Sequence, residues 1–259
     1  MKGRLGIFIL ALTSVLFLTS GIATAVDGVV LIDQARALAG SVTPGDTPGF
    51  PVTISVAGSY RLSGNLTVPD ADTTAISVTS DNVSIDLNGF AILGPVTCTG
   101  NPISCTPTGT GNGINVEGLP RTIGIRNGEI RGMGSAGISC GSSGAVVNVS
   151  DMRVLQNGWV GIIVANGMVT GSSVTTNGTT GIAVSGTGTV IGNHVSHNGT
   201  NGIQVNNGLV SQNTSSANGS VGLRLTLTVG YWGNALTANN AGGAQVHLGV
   251  DLGNNLVLP

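Results

Sequence analysis

The chain has little charge, few aromatic rings and almost no cysteine. Charged residues make up 8% of its 259 positions and aromatic residues 3%. Lysine occurs only at Lys2, so the chain after residue 25 carries seven arginines, no lysine and eleven acids. That balance excludes a nucleic-acid binder working through a basic face. No apolar run after residue 25 is long enough to span a bilayer. What the chain has in excess is glycine, 43 residues, beside 41% hydrophobic content. A disordered chain would be poorer in apolar residues, so a folded core is expected.

The first 25 residues read as a secretory signal. Lys2 and Arg4 precede an apolar run from Leu5 to Leu18, and small residues follow, ending Ala23-Thr24-Ala25. An exported protein results, at the cell surface, in the periplasm or outside the cell. In that oxidising setting Cys98 and Cys105, both in the Pro/Thr/Gly-rich loop 94–113, are expected to form a disulfide, with two free thiols as the alternative. Cys140 is left over.

The second half repeats. Words of the Gly-Ile-x-Val type begin at Gly113, Gly137, Gly161, Gly181, Gly202, Gly222 and Gly243, at intervals of 24, 24, 20, 21, 20 and 21 residues. Four residues before the glycine stands Asn157, Asn177, Asn198, Asn218 or Asn239, and nine before it Asn193, Asn213 or Asn234, with Ser172 in the same column. A fixed period near 20 means a solenoid. The words are short, β-branched and alternating, with no helical stripe, so each repeat is a coil of short strands stacking into parallel sheets. Roughly seven to nine coils at the strand spacing give a rod of about 35–45 Å.

Alternation assigns the sides. The columns of Ile114, Ile138, Ile162, Ile182, Ile203, Leu223 and Ala244, and of Val116, Cys140, Val164, Val184, Val205, Leu225 and Val246, point inward. Cys140 is therefore a small core residue. Asn115, Ser139, Ile163, Ala183, Gln204, Arg224 and Gln245 point outward. The asparagines suit left-handed turns and stacking on one another. Several fall in glycosylation sequons (Asn65, Asn82, Asn148, Asn177, Asn198, Asn213 and Asn218), for which the turn role is the better explanation. The domain plan is a signal peptide at 1–25, an N-terminal cap segment at 26–50 and a β-helix at 51–259 with a loop insertion at 94–113. Residues 29–39 read as a short amphipathic capping helix or as an extended strand. The end of the chain is expected to lay a last strand or loop over the opposite end, with Tyr231 and Trp232 packed beneath it.

These words, the Asn177-Gly178 and Asn198-Gly199 steps and the period of 20–21 resemble the right-handed parallel β-helix repeats of the pectate-lyase-like superfamily. GSYRLSGNLTV (58–68), DNVSIDLNGFAILG (81–94) and IRNGEIRGMG (125–134) look like opening coils of exported bacterial members. The resemblance implies an all-β, single-domain, right-handed solenoid. It says little about activity, because one such scaffold carries lyases, hydrolases, epimerases and inert rods.

Equipment for cleavage is sparse. The hydrolases of this fold use clustered Asp, usually with an Asp-Asp pair, and this chain has none. Calcium-dependent lyases use several carboxylates with an Arg or Lys base, but from Gly113 on the acids are only Glu117, Glu129, Asp151 and Asp251. No metal site is expected, and calcium enters only under the lyase alternative. The best catalytic candidates are Glu129, Arg131, Asp151 and Arg153, the densest charge patch. They read as an acid and arginine pair acting on an acidic sugar, or as a surface ion-pair ladder worth about 0–1 kcal/mol per pair. The same outward column continues through Ser173, His194, Thr214 and Ala235. Trp159 sits in a turn whose column mates are Ser or Thr, and it is the most suggestive ligand-binding residue, followed by His194. His197 and His247 read as solvated surface residues. The leading function is a non-catalytic rod that contacts polysaccharide or other cell-envelope glycan. The alternatives are a lyase or hydrolase acting on acidic glycans, and a purely structural or adhesive repeat. The sequence leaves the oligomeric state open.

Overall fold

A three-residue strand cannot stand alone; it forms by pairing with a copy of itself one repeat away. In the computed structural model, which describes residues 28–118, 122–141 and 144–259, each repeat contributes three such strands and turns a corner between them. The expected signal peptide at 1–25 lies outside the described residues. The result is a right-handed parallel β-solenoid of about ten turns.

Three sheets run along its axis. Sheet A holds the glycine-initiated words, from Val52–Ile54 and Ile76–Val78 through Ile162–Val164 to Val246–His247. Sheet B begins with Val29–Ile32 beside Gly58–Leu62 and ends with Val250–Asp251. Sheet C runs from Leu66–Thr67 to Leu256–Leu258. The ten-residue strands Thr122–Arg131 and Val146–Leu155 each supply B and C in turn, bending at the shared corner. There are more coils than the repeat words alone predict, because strands at both ends, too irregular to show as words, extend the stack.

The core is a pile of β-branched side chains. Ile114, Ile138, Ile162, Ile182 and Ile203 are wholly buried in one column, with Cys140 in the next. Burial pushes the Cys140 thiol well above its ordinary range, the backbone at Val116 opposing only in part, so it packs as a protonated apolar group.

Two asparagine ladders line two corners. In the corner from C to A, the Asn177 carbonyl oxygen accepts from the backbone N–H and the amide of Asn157 at 3.1 and 2.9 Å. Asn198 does the same for Asn177, Asn218 for Asn198, and Asn239 for Asn218. In the corner from B to C the run is Ser172, Asn193, Asn213, Asn234 and Asn255. The ladder residues from Asn157 to Asn239 are almost fully buried, so the sequons at Asn177, Asn198, Asn213 and Asn218 are closed to a glycosyltransferase in the folded chain. The left-handed residue is not the ladder asparagine, as expected, but the one before it: Gln156, Thr176, His197, Ala217 and Ala238 in one corner, with Gln212 and Asn254 in the other. The ladder residue keeps ordinary backbone and spends its amide on the neighbouring coil.

Close approach explains two glycine columns. A Cβ at Gly161 would sit 2.7 Å from the Gly181 carbonyl and 2.8 Å from the Asn177 amide, too near for either to stay. A Cβ at Gly178 would collide with the Gly158 carbonyl on the preceding coil.

The last word breaks the pattern. Val246, not Ala244, pairs with Leu223, and Ala244 is exposed. Gln245, expected outside, is buried and closes the first ladder: its carbonyl accepts from the Asn239 amide at 2.7 Å and its amide donates to the Asn239 carbonyl at 3.0 Å. The 3-10 turn Asn239–Gly242 shifts the chain by two residues to bring it there.

The ends differ. At the first coil, strand and helix both occur: Val29–Ile32 is followed by α1, Gln34–Ala39, whose N-cap Asp33 accepts from the Arg36 N–H. Ile32 and Ala37 are buried in the core, so this segment covers the mouth. At the last coil the chain continues the solenoid instead of folding over it, and Val257 and Leu258 stay about half exposed. Tyr231 packs partly against the core, while Trp232 lies in the outward column of sheet B.

The loop at 94–113 forms an antiparallel hairpin, Thr97–Thr99 with Ser104–Thr106, closed by the Cys98–Cys105 disulfide. It folds down the corner from C to A. The two sulfurs lie 3.5 and 3.8 Å from the Asn157 carbonyl oxygen, contacts rather than hydrogen bonds since neither sulfur carries hydrogen. A Cβ at Gly178 would touch Cys105 and one at Gly199 would touch Ile103, so the bare glycine corner is where the hairpin beds.

Candidate functional site

Two places on the outer surface gather the candidate residues, and they lie on different faces.

The first is on sheet C. Glu129 pairs in register with Arg153 on the next coil, as the column reading requires. Its two carboxylate oxygens are each engaged, one by Arg153 at 2.9 Å and the other by Arg131 at 3.1 Å. Both arginines are half or more exposed, so the pairs contribute little to stability. Asp151 does not join them. It occupies the left-handed residue of the corner from B to C, and its carboxylate lies against Gly171, on the coil away from Glu129. The expected four-residue patch is therefore a three-residue ion-pair ladder, because the positive φ at Asp151 turns its side chain along the axis. His194 follows in the same column, three coils from Glu129, and its Nε2 shares a hydrogen bond with the Ser196 hydroxyl at 3.2 Å. Among the described residues no three His, Cys, Asp or Glu side chains come together in a group that could hold a metal ion.

The second place is on sheet A. Trp159, Thr179, Thr200 and Ser220 form one column at the corner, joined by one backbone hydrogen bond per coil. Trp159 is 50% exposed. Beside this ridge the outward column of sheet A reads Ile163, Ala183, Gln204, Arg224 and His247. Between ridge and column lies a groove of about 380 Å³, and a further 230 Å³ continues it past Arg224 to His247. Its floor at Ile163 and Ala183 is apolar. Its wall is a chain of hydroxyls, with Thr180 and Thr200 sharing a hydrogen bond at 3.1 Å and the Asn201 amide donating to Thr180. Trp159 stands at one end and the exposed Arg224 at the other, three coils along, so the groove runs on the order of 15 Å.

The two ligand-binding candidates are thus separated: Trp159 lines this groove, while His194 faces out from sheet C. Arg224 is the residue that sequence reading placed outward without giving it a role. In the structure its neighbours in the column, Gln204 and His247, offer it no carboxylate.

No family model matches the chain, and no curated protein does. Among solved structures, its fold is similar to the full-length tailspike protein 2 from Escherichia coli O157:H7 bacteriophage CAB120, with a TM-score of 0.51 at 15% identity, over 76% of this chain and 33% of that one. It is also similar to the A-module of the Azotobacter vinelandii mannuronan C-5 epimerase AlgE4, with a TM-score of 0.47 at 13% identity, over 85% of this chain and 70% of that one. The chain thus spans about a third of the tailspike's length. The likeness is one of fold, the pectate-lyase-like β-helix.

Proposed function

We propose that this chain is an exported, non-catalytic β-helix rod that contacts polysaccharide, or other glycan of a cell envelope, through the groove on sheet A. The observation that carries the reading is Trp159, half exposed at the head of an apolar-floored, hydroxyl-walled groove. Sugar faces stack on such rings, and pockets of this make-up, apolar with a few placed polar groups, are the usual ligand sites. The Glu129 ladder supports the non-catalytic part, since both carboxylate oxygens are taken up by arginines. The charged start of the chain followed by its apolar run supports export.

The test is a panel of acidic and neutral polysaccharides, with and without calcium. The chain is expected to be retained on at least one of them, to lose retention in Trp159→Ala, and to release no reducing ends or unsaturated products. Retention untouched by Trp159→Ala would remove the groove from the reading. Product release that disappears in Glu129→Gln or Arg153→Ala would make this an enzyme.

A further inference from the structure

We infer that the groove selects a carboxylated glycan, with one sugar ring on Trp159 and a uronate carboxylate farther along the chain paired to Arg224; this rests on the reading of the groove as a glycan site.

Four other arginines are each paired to a carboxylate. Arg61 and Arg126 lie against Asp86, and Arg131 and Arg153 against Glu129. Arg224 lies against no carboxylate among the described residues, and no acidic side chain lines the groove. It stands exposed in the outward column between Gln204 and His247, at the foot of a channel whose other lining groups are not ionisable apart from His247. A planar guanidinium with five donors and no partner is shaped to take a carboxylate in two parallel bonds. The neighbouring hydroxyls and amides of Thr200, Asn201 and Gln204 suit sugar hydroxyls and do not compete for an anion. Trp159 and Arg224 are three coil steps apart, roughly 15 Å, so one ligand meets both only if it is an extended chain lying along the axis.

Oligosaccharides of matched length decide it: neutral, carboxylated and sulfated, titrated by Trp159 fluorescence and calorimetry against the full chain. The carboxylated ligand is expected to bind on the order of tenfold more tightly than the neutral one, and that preference to weaken with added salt. Arg224→Gln is expected to abolish the preference, so that the variant binds the carboxylated ligand no more tightly than it binds the neutral one. Glutamine already stands at the same register in Gln204, so the variant fits the fold. Equal affinity for neutral and carboxylated ligands, or a preference that survives Arg224→Gln, would overturn the inference and leave the glycan reading standing. Sulfated ligand binding as tightly as carboxylated would overturn the choice of carboxylate. Binding of none of the three would overturn both readings together.

Discussion

The two halves of the solenoid hold their turns with different chemistry. In the first half carboxylates serve as turn acceptors, beside scattered amides at Asn65 and Asn112. Asp46 takes the N–H groups of Val42 and Thr53, Asp70 those of Asp72 and the Thr73 hydroxyl, and Asp81 those of Asn82 and Thr122. Asp86 gathers the Asn88 N–H, the Asn127 amide and Arg126. In the second half the acceptors are asparagine amides. The difference follows from what each group can do. A carboxylate only accepts, so each one needs its own set of donors. Stacked one above another, carboxylates would also repel at the strand spacing. An amide accepts from the coil before and donates to the coil after, so it repeats without limit and without charge. The regular half can therefore be regular because its turn residue is neutral and two-sided.

The sharpest way to break this contrast is to remove one rung. Asn198→Ala deletes an acceptor used twice by Asn177 and donors to Asn218 and Val174, all buried. Chemical denaturation is expected to show a loss of about 3–5 kcal/mol, since each orphaned buried group costs roughly 1–3 kcal/mol. A loss under about 1 kcal/mol, the net worth of one ordinary hydrogen bond, would mean that the ladder is decoration.

Acid sharpens it next. Burial alone would raise the Asp86 carboxyl, but the Asn88 N–H, the Asn127 amide and the Arg126 hydrogen bond and charge outweigh it and hold the group below its usual range. A depressed value in the folded state adds stability that is fully present above about pH 4, the unfolded value, and is lost as pH falls through the folded one. Hydrogen exchange read coil by coil is expected to show the first half losing protection in this window while the amide-laddered coils keep theirs. Loss in both halves at the same pH would erase the distinction.

The smallest effect is expected at Glu129→Gln. It removes the ion pairs to Arg131 and Arg153, and a change within about 1 kcal/mol is expected in the same denaturation assay. A larger loss would show that surface charge carries weight in this rod after all.

Most of the fold was legible because the repeat is strict. Glycine spacing gave the period, alternation gave the inward columns, and the register of Glu129 with Arg153 followed from counting back to the coil glycine. The site was less legible. Trp159 showed itself as a large ring in a column of small residues. Arg224 did not, because an unpaired charge is visible only once its neighbours on adjacent coils are known. Asp151 was misplaced because column counting says nothing of backbone handedness, and its positive φ swings the carboxylate to another coil. Gln245 was misplaced because alternation was carried past the 3-10 turn at Asn239–Gly242, where it no longer holds.

The ladders also have a grain. Every rung from Asn157 to Asn239, and from Ser172 to Asn234, gives its backbone N–H to the rung that follows it in the chain. As coils are laid down in order, the newest rung has its acceptor filled but its donors open, and only the next coil closes them. The stack is thus polar: an open end shows donors on one side and an acceptor on the other. The first ladder ends where a different residue takes those donors: Gln245, folding its own amide back onto Asn239, writes the length of that ladder into the sequence.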